Sequence, residues 1–203
     1  MEQTTSFRTI GPTTYLCPIP AVMLGCAAPE GGEPNLITVA WTGVVCSKPP
    51  MLSVSIRKER LSHDLIARSG EFTLNLVSRG LCRAMDYCGV KSGREVRKFA
   101  QLGLDAIPAP GLAHAPAVKQ APAFLSCKVH SIQELGSHDL FLADIVQVSV
   151  QDRYFLADGS IDESAMQLVS YVHGKYHALG GALGFFGYSV ASPKALERRM
   201  KKG

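Results

Sequence analysis

Two β-type runs, residues 122–135 and 138–150, are separated only by Gly136 and Ser137. A two-residue joint containing glycine between long runs of this kind is the mark of a β-hairpin. Several shorter runs precede it. Residues 13–28 are rich in Val, Leu, Ile and Cys, residues 35–41 resume after a Pro- and Gly-punctuated loop at 29–34, and residues 71–77 return to the same pattern. Between them, Lys48, Pro49 and Pro50 break the chain. Residues 51–57 then alternate strictly: Leu52, Val54 and Ile56 fall on one face, Ser53, Ser55 and Arg57 on the other. That alternation predicts a strand with one apolar and one polar face.

Helical signals are shorter. Residues 62–69 read as a helix with Ser62 as its cap, Asp64 in its first turn and Gly70 as its stop. Residues 81–87 and 95–102 read as two further helices, and 192–202 as a terminal one with Ser192 as cap and Pro193 in first position. Residues 105–120 hold several prolines and read as a loop. Many strands, short helices and few β-α-β alternations predict a mostly β fold with helical insertions, a β-barrel of the α+β kind. Residues 1–12 read as a flexible or strand-forming leader, 13–190 as the folded domain and 191–203 as a basic helix or tail.

Charge excludes some functions. The chain of 203 residues carries a formal charge of +4. The last ten residues hold Lys194, Arg198, Arg199, Lys201 and Lys202 against Glu197, so they account for all of it and leave the body neutral. A nucleic-acid surface needs its basic residues spread over a folded face; a basic last helix is more simply a solvated end that complements the helix dipole. No nucleic-acid partner is expected. The six cysteines (17, 26, 46, 82, 88 and 127) include no C-x-x-C pair, and no His pair completes a zinc pattern, so no metal site is expected. The start of the chain lacks a secretory pattern, and the longest weakly polar run, 178–190, is too short and Gly-rich for a bilayer span. A cytoplasmic protein without a membrane partner is expected.

Neither G-x-G-x-x-G after a strand, nor G-x-x-x-x-G-K-[ST], nor G-x-S-x-G occurs, which argues against a Rossmann domain, a P-loop and a serine hydrolase. The informative stretch runs N-L-I-T-V-A-W-T-G-V-V-C-S-K-P-P-M-L-S-V-S-I-R from Asn35 to Arg57. It is followed by F-T-L-N-L at 72–76, C-G-V-K-S-G-R at 88–94 and Lys98-Phe99. This ordered series, spanning about residues 22–184, resembles the flavin reductase-like family that includes flavoredoxin. The resemblance implies an FMN-binding split β-barrel, a homodimer with cofactors at the subunit interface, and NAD(P)H as electron donor. It also places Ser92 and Lys98 near the flavin, from the same subunit or its partner.

The chemistry of these residue types supports the same site. An isoalloxazine ring needs a flat slot and donors along its edge; a phosphate needs positive charge and free N–H groups. Asn35, Thr38, Ala40, Trp41, Thr42 and Gly43 form the candidate ring site, with a hydroxyl at Thr38, a ring wall at Trp41, and small residues at Ala40 and Gly43 that admit close backbone approach. Ser53, Ser55, Arg57, Ser62 and His63 form the candidate phosphate site, where a polar strand face runs into a helix N-terminus. Each has a plain structural alternative: Trp41 as a core residue, the polar face of 53–57 as the wet side of a sheet, Ser62 as a simple cap, Lys98 on a solvated helix. His173 and Tyr176, in H-G-K-Y-H, carry a weaker signal.

No acid–base dyad stands out, and none is needed, because a flavin supplies the reactivity itself. No catalytic side chain is therefore assigned. The expected function is an FMN-binding, NAD(P)H-dependent flavin oxidoreductase acting on a small-molecule substrate or acceptor. The alternatives are an electron-transfer flavoprotein that does not use nicotinamide, and a non-enzymatic flavin or haem binder.

Overall fold

The computed structural model describes residues 5–200. In chain order its elements are β1 (Ile19–Pro20), β2 (Val22–Cys26), β3 (Asn35–Val39), β4 (Thr42–Ser47), β5 (Pro50–Arg57), α1 (Leu61–Ser69), β6 (Glu71–Asn75), α2 (Cys82–Val90), α3 (Lys98–Leu102), β7 (Ala106–Ile107), β8 (Ala117–Val118), β9 (Ala123–Leu135), β10 (His138–Val150), β11 (Val169–Val172), β12 (Lys175–Ala178) and α4 (Pro193–Met200). The hairpin read at 122–150 is present as β9 and β10, with Leu135 opposite His138. Its joint turns at Gly136, whose φ of 68° is a left-handed conformation that costs glycine little.

Seven strands form one antiparallel sheet in the order β3-β2-β6-β9-β10-β5-β4. Its two outermost strands, β3 and β4, are joined by only Ala40 and Trp41. Laid flat, the six gaps between seven strands would separate them by roughly 29 Å. The short link reaches at most about 11 Å. The sheet must therefore curl until its edges meet, and the fold is a split β-barrel, mostly β with helical insertions.

The edge strand β4 covers only part of its neighbour β5. β4 pairs with the first half of β5, from Ser47 opposite Pro50 to Thr42 opposite Val54. The last closing contact is the amide of Ser55 donating to the carbonyl of Trp41 at 2.9 Å. Past it, the second half of β5 and the outer edge of β3 are not paired with each other, and the space between them is the split.

The barrel interior holds Leu24, Val39, Val54, Ile56, Phe72 and Phe141 among other apolar side chains. A second core, built on Met23, Leu36, Met85, Cys88 and Phe99, fills the space between the outside of the sheet and helices α2 and α3. β2 and β6 are therefore buried on both faces, whereas β5 alternates as read.

Several sequence expectations are corrected. Helix α1 begins at Leu61 with Arg60 in the capping position and no side-chain cap, so Ser62 lies inside the first turn. Its hydroxyl instead accepts a hydrogen bond from Asn35 Nδ2 at 2.9 Å. The helix read at 95–102 starts at Lys98. The segment read as a loop at 105–120 contains the β7–β8 ladder, too short to show periodicity. It is pinned to β6: Asn75 Oδ1 accepts the Val118 amide at 2.8 Å, and the Glu71 carboxylate accepts the amides of Ala113, His114 and Ala115. Strand β4 and hairpin β11–β12 are additional. In α4, Ser192 Oγ accepts the Ala195 amide at 3.4 Å, as a cap. Residues 1–4 of the leader and Lys201 and Lys202 of the basic tail lie outside the described residues.

Candidate functional site

The split opens into a cleft of about 440 Å³. One wall is the free edge of β3 with the link that follows it: Ile37, Thr38, Val39, Ala40 and Trp41. The facing wall is the second half of β5, Ser55 to Arg57, with Arg60 from the turn before α1. Asp86, Gly89 and Val90 of α2, His138 at the start of β10, Tyr171 and Tyr176 of β11–β12, and Ala21 just before β2 complete it.

The β3 edge is held open by α2. The Thr38 hydroxyl donates to the carbonyl of Met85, and a Cβ on Gly89 would stand 3.1 Å from Thr38 Cβ. A larger residue at 89 would push helix and strand apart. Beneath this edge, buried Lys98 donates from Nζ to the carbonyls of Leu36 at 2.6 Å and Cys88 at 2.8 Å. Burial pushes its ammonium below the ordinary lysine range. Lys98 thus ties the end of α2 to β3.

The β5 wall is cationic. Arg57 makes an exposed pair with Glu59 at 3.5 Å, an interaction worth little in water, so its guanidinium is available to a ligand. His138 lies directly opposite Arg57 in the β10–β5 register, and its ring stacks on Trp41 with centroids 4.7 Å apart. Burial and the adjacent Arg57 push the His138 imidazolium below its ordinary value, which favours the neutral ring. Across the cleft, Tyr176 donates to Asp86 at 2.9 Å; burial and that carboxylate push its phenol up. Among the described residues, Asp86 is the one carboxylate lining the cleft.

The sequence-predicted residues divide between the cleft and its supports. Thr38, Ala40, Trp41, Ser55 and Arg57 line it. Asn35 and Ser62 are buried and bonded to each other, with Gly93 packed against Asn35 so closely that a Cβ there would overlap it. His63 turns to β10, where Nε2 meets Asp139 Oδ2 at 2.8 Å and its ring sits edge-on to Phe141. Burial opposes ionisation of Asp139, but the contact with His63 and the Lys58 ammonium 3.3 Å from Oδ1 hold its carboxyl below the usual range. Gly43 and Ser53 face one another in the β4–β5 ladder, away from the cleft. Thr42 carries a buried hydroxyl without a partner. Ser92 accepts the Arg94 amide at 3.2 Å in its own turn.

The polar, charged and aromatic cleft residues outside the candidate set are Arg60, Asp86, His138, Tyr171 and Tyr176; Ala21, Ile37, Val39, Ile56, Gly89 and Val90 also line it. Arg60 and Tyr176 carried a signal, as a basic residue before a helix and as the tyrosine of H-G-K-Y-H. His138 carried none, because its place follows from a strand register 81 positions away from Arg57. Among the described residues no group of His, Cys, Asp and Glu is arranged to hold a metal ion, and no helix is long and apolar enough to cross a membrane.

Similar proteins are informative at this point. Flavoredoxin of Desulfovibrio vulgaris (Miyazaki F) superposes with a TM-score of 0.85 at 30% identity, covering 92% of this chain and 100% of that one. Flavoredoxin from Methanosarcina acetivorans superposes at 0.81 with 26% identity, again over 92% and 100%. The NADH-dependent flavin reductase StyB of Pseudomonas fluorescens is 25% identical over 154 residues, 74% of this chain and 78% of its own. Residues 15–180 match the Flavin reductase like domain, and over that length the chain belongs to this family.

Proposed function

We propose that the cleft binds FMN noncovalently and that the protein is an NAD(P)H-dependent flavin oxidoreductase. The observation that carries this reading is the meeting, in one cleft, of two guanidinium residues, Arg57 and Arg60, with an aromatic wall and a free strand edge. The donor set fits a mononucleotide. Arg57 and Arg60 with the Ser55 hydroxyl suit a phosphate. The backbone of residues 37–41 offers the donors and acceptors that a flavin edge requires, and Trp41, Tyr171 and Tyr176 offer apolar ring faces. Gly89 keeps the α2 backbone close to Thr38. Asn35, Ser62 and Lys98 act from beneath by fixing the α1 turn and the β3 edge.

When bound, FMN supplies the electron and hydride chemistry. The chain's own residues bind it, orient it and keep one face open to a donor and an acceptor; none is assigned a covalent or proton-transfer role. Anaerobic mixing of FMN-loaded protein with NADH and NADPH tests the activity, and bleaching of the flavin absorbance by either nucleotide is the expected result. No bleaching by either would favour the second reading, an electron-transfer flavoprotein, which the likeness to flavoredoxin at 30% identity supports. Failure to take up FMN in a titration would sink both.

The same reading includes a homodimer in a reducing, cytoplasmic setting. Leu183, Phe186 and Val190 stand almost fully exposed near the C-terminal end, as an apolar surface awaiting cover would. All six cysteines are free thiols. Light scattering on the purified protein should return twice the 21.8 kDa chain mass.

A further inference from the structure

Trp41 lines two hollows. Besides the cleft, it forms part of a second, open hollow of about 380 Å³, lined by Thr13, Thr14, Tyr15, Leu16 and Ile19 of the segment before β2, and by Ala40 and Thr42. This segment is held in place. The Leu16 amide donates to the Thr14 carbonyl at 3.0 Å, which tightens the chain into a turn. Tyr15 rests edge-on against His173, with centroids 5.0 Å apart. His173 sits at the tip of the β11–β12 hairpin with a φ of 42°, beside Gly174 at 91°. A non-glycine residue in this left-handed region persists only where its surroundings impose it. The tip thus presents an imidazole to Tyr15 at some conformational cost.

The lining defines what fits. Leu16, Ile19 and Trp41 supply apolar surface, and the threonines and Tyr15 supply neutral hydroxyls. Among the described residues, no lysine, arginine, aspartate or glutamate faces the hollow. An ion entering it would lose water without gaining a counter-charge, whereas a neutral flat molecule would exchange water for ring and aliphatic contact. We propose that this hollow is a second binding site, distinct from the cleft, for a neutral planar aromatic of one or two rings such as a quinone or phenol. Ala40 and Trp41 are common to both walls, so the occupant lies next to whatever fills the cleft. A role for it as electron acceptor rests on the flavin reading; its binding does not.

Trp41 is the sole tryptophan of the chain, which gives a direct readout. The probe is menadione, titrated into flavin-free protein and followed by tryptophan fluorescence, with free N-acetyltryptophanamide as the collisional control. Saturable quenching is expected. Leu16→Glu, at a position 75% exposed and therefore tolerant in folding, should weaken it about tenfold or more by placing a charge in the apolar wall. FMN affinity should be unchanged in that variant. Equilibrium dialysis of menadione against FMN-saturated protein should return the same affinity as against flavin-free protein. Purely collisional quenching, indifference to Leu16→Glu, or competition between menadione and FMN would overturn the proposal. So would quenching that appears only on dilution, since a second copy of the chain would then be the occupant.

Discussion

The amide of Ser55 and the carbonyl of Trp41 meet at 2.9 Å, and this bond is the last rung of the barrel before its edges part. Everything that lines the cleft on the β3 and β5 sides lies at or just beyond it. The position of the bond follows from the two-residue link between β3 and β4, which brings opposite edges of the sheet together at one corner and no further. The ligand site is thus a consequence of incomplete closure.

Arg57 faces this gap with only an exposed partner. Arg57→Ala should weaken FMN binding by about 1.5–3 kcal/mol, the range for a hydrogen bond to a charged group. Isothermal titration with FMN checks it, and the urea midpoint should stay near that of the parent. Unchanged affinity would move the phosphate toward Arg60.

Glu71 anchors the 105–120 segment through amides at 3.1 Å (Ala113) and 2.9 Å (Ala115) and through that of His114. Glu71→Ala leaves these donors unsatisfied and should cost about 3 kcal/mol or more, since each bond to a carboxylate contributes roughly 1.5–3. Glu71→Gln retains one acceptor oxygen and should lose less. Urea unfolding measures the first effect, and limited proteolysis within 105–120 reports release of the segment. Equal stability of Glu71→Ala and parent would refute the anchoring role.

Gly93 has no room for a methyl group: a Cβ there would meet the Asn35 side chain at 2.2–2.9 Å. Asn35 cannot retreat without leaving Ser62. Gly93→Ala should therefore destabilise the fold by about 1–3 kcal/mol, the usual cost of overpacking. Asn35→Ala in the same background should recover part of that loss, which a double-mutant cycle would read directly.

Alkaline pH should destabilise the protein through its buried thiols. Burial pushes Cys26 and Cys127 up to about 12 and Cys88 up to about 11, from an ordinary 9.0. Above about pH 9 the unfolded chain releases these protons and the folded chain keeps them. The unfolded state then binds fewer protons, so stability falls as pH rises through that window. Lys98 acts in the opposite sense, because burial lowers its value and the unfolded chain holds that proton longer. Urea midpoints measured from pH 8 to pH 11 should decline, and the decline should be shallower in Cys127→Ala. An unchanged slope in that variant would contradict the assignment.

The alternation of residues 51–57 was legible because its cause is local. Leu52, Val54 and Ile56 enter the barrel core while Ser53, Ser55 and Arg57 do not, and a strand displays that difference every second residue. The hairpin at 122–150 was legible for the same reason, through its glycine joint. Family likeness pointed to Thr38, Ala40 and Trp41, and the polar face of 51–57 to Ser55 and Arg57, all in strands or links that border the split. The destinations of Ser62, His63, Lys98 and His138 were not legible. Each is decided by a partner far away in the chain: Asn35 for Ser62, Asp139 for His63, the carbonyls of Leu36 and Cys88 for Lys98, and Arg57 with Trp41 for His138. By itself the sequence determined the longer strands β2, β3, β5, β6, β9 and β10, the turn between the last two and the stretch that carries the chemistry, since those follow from periodicity and turn residues, but not the short β4, β7–β8 and β11–β12. The tertiary structure alone decided which side chains face the cleft, because orientation depends on strand register and on closure of the sheet, and neither is a property of any local segment.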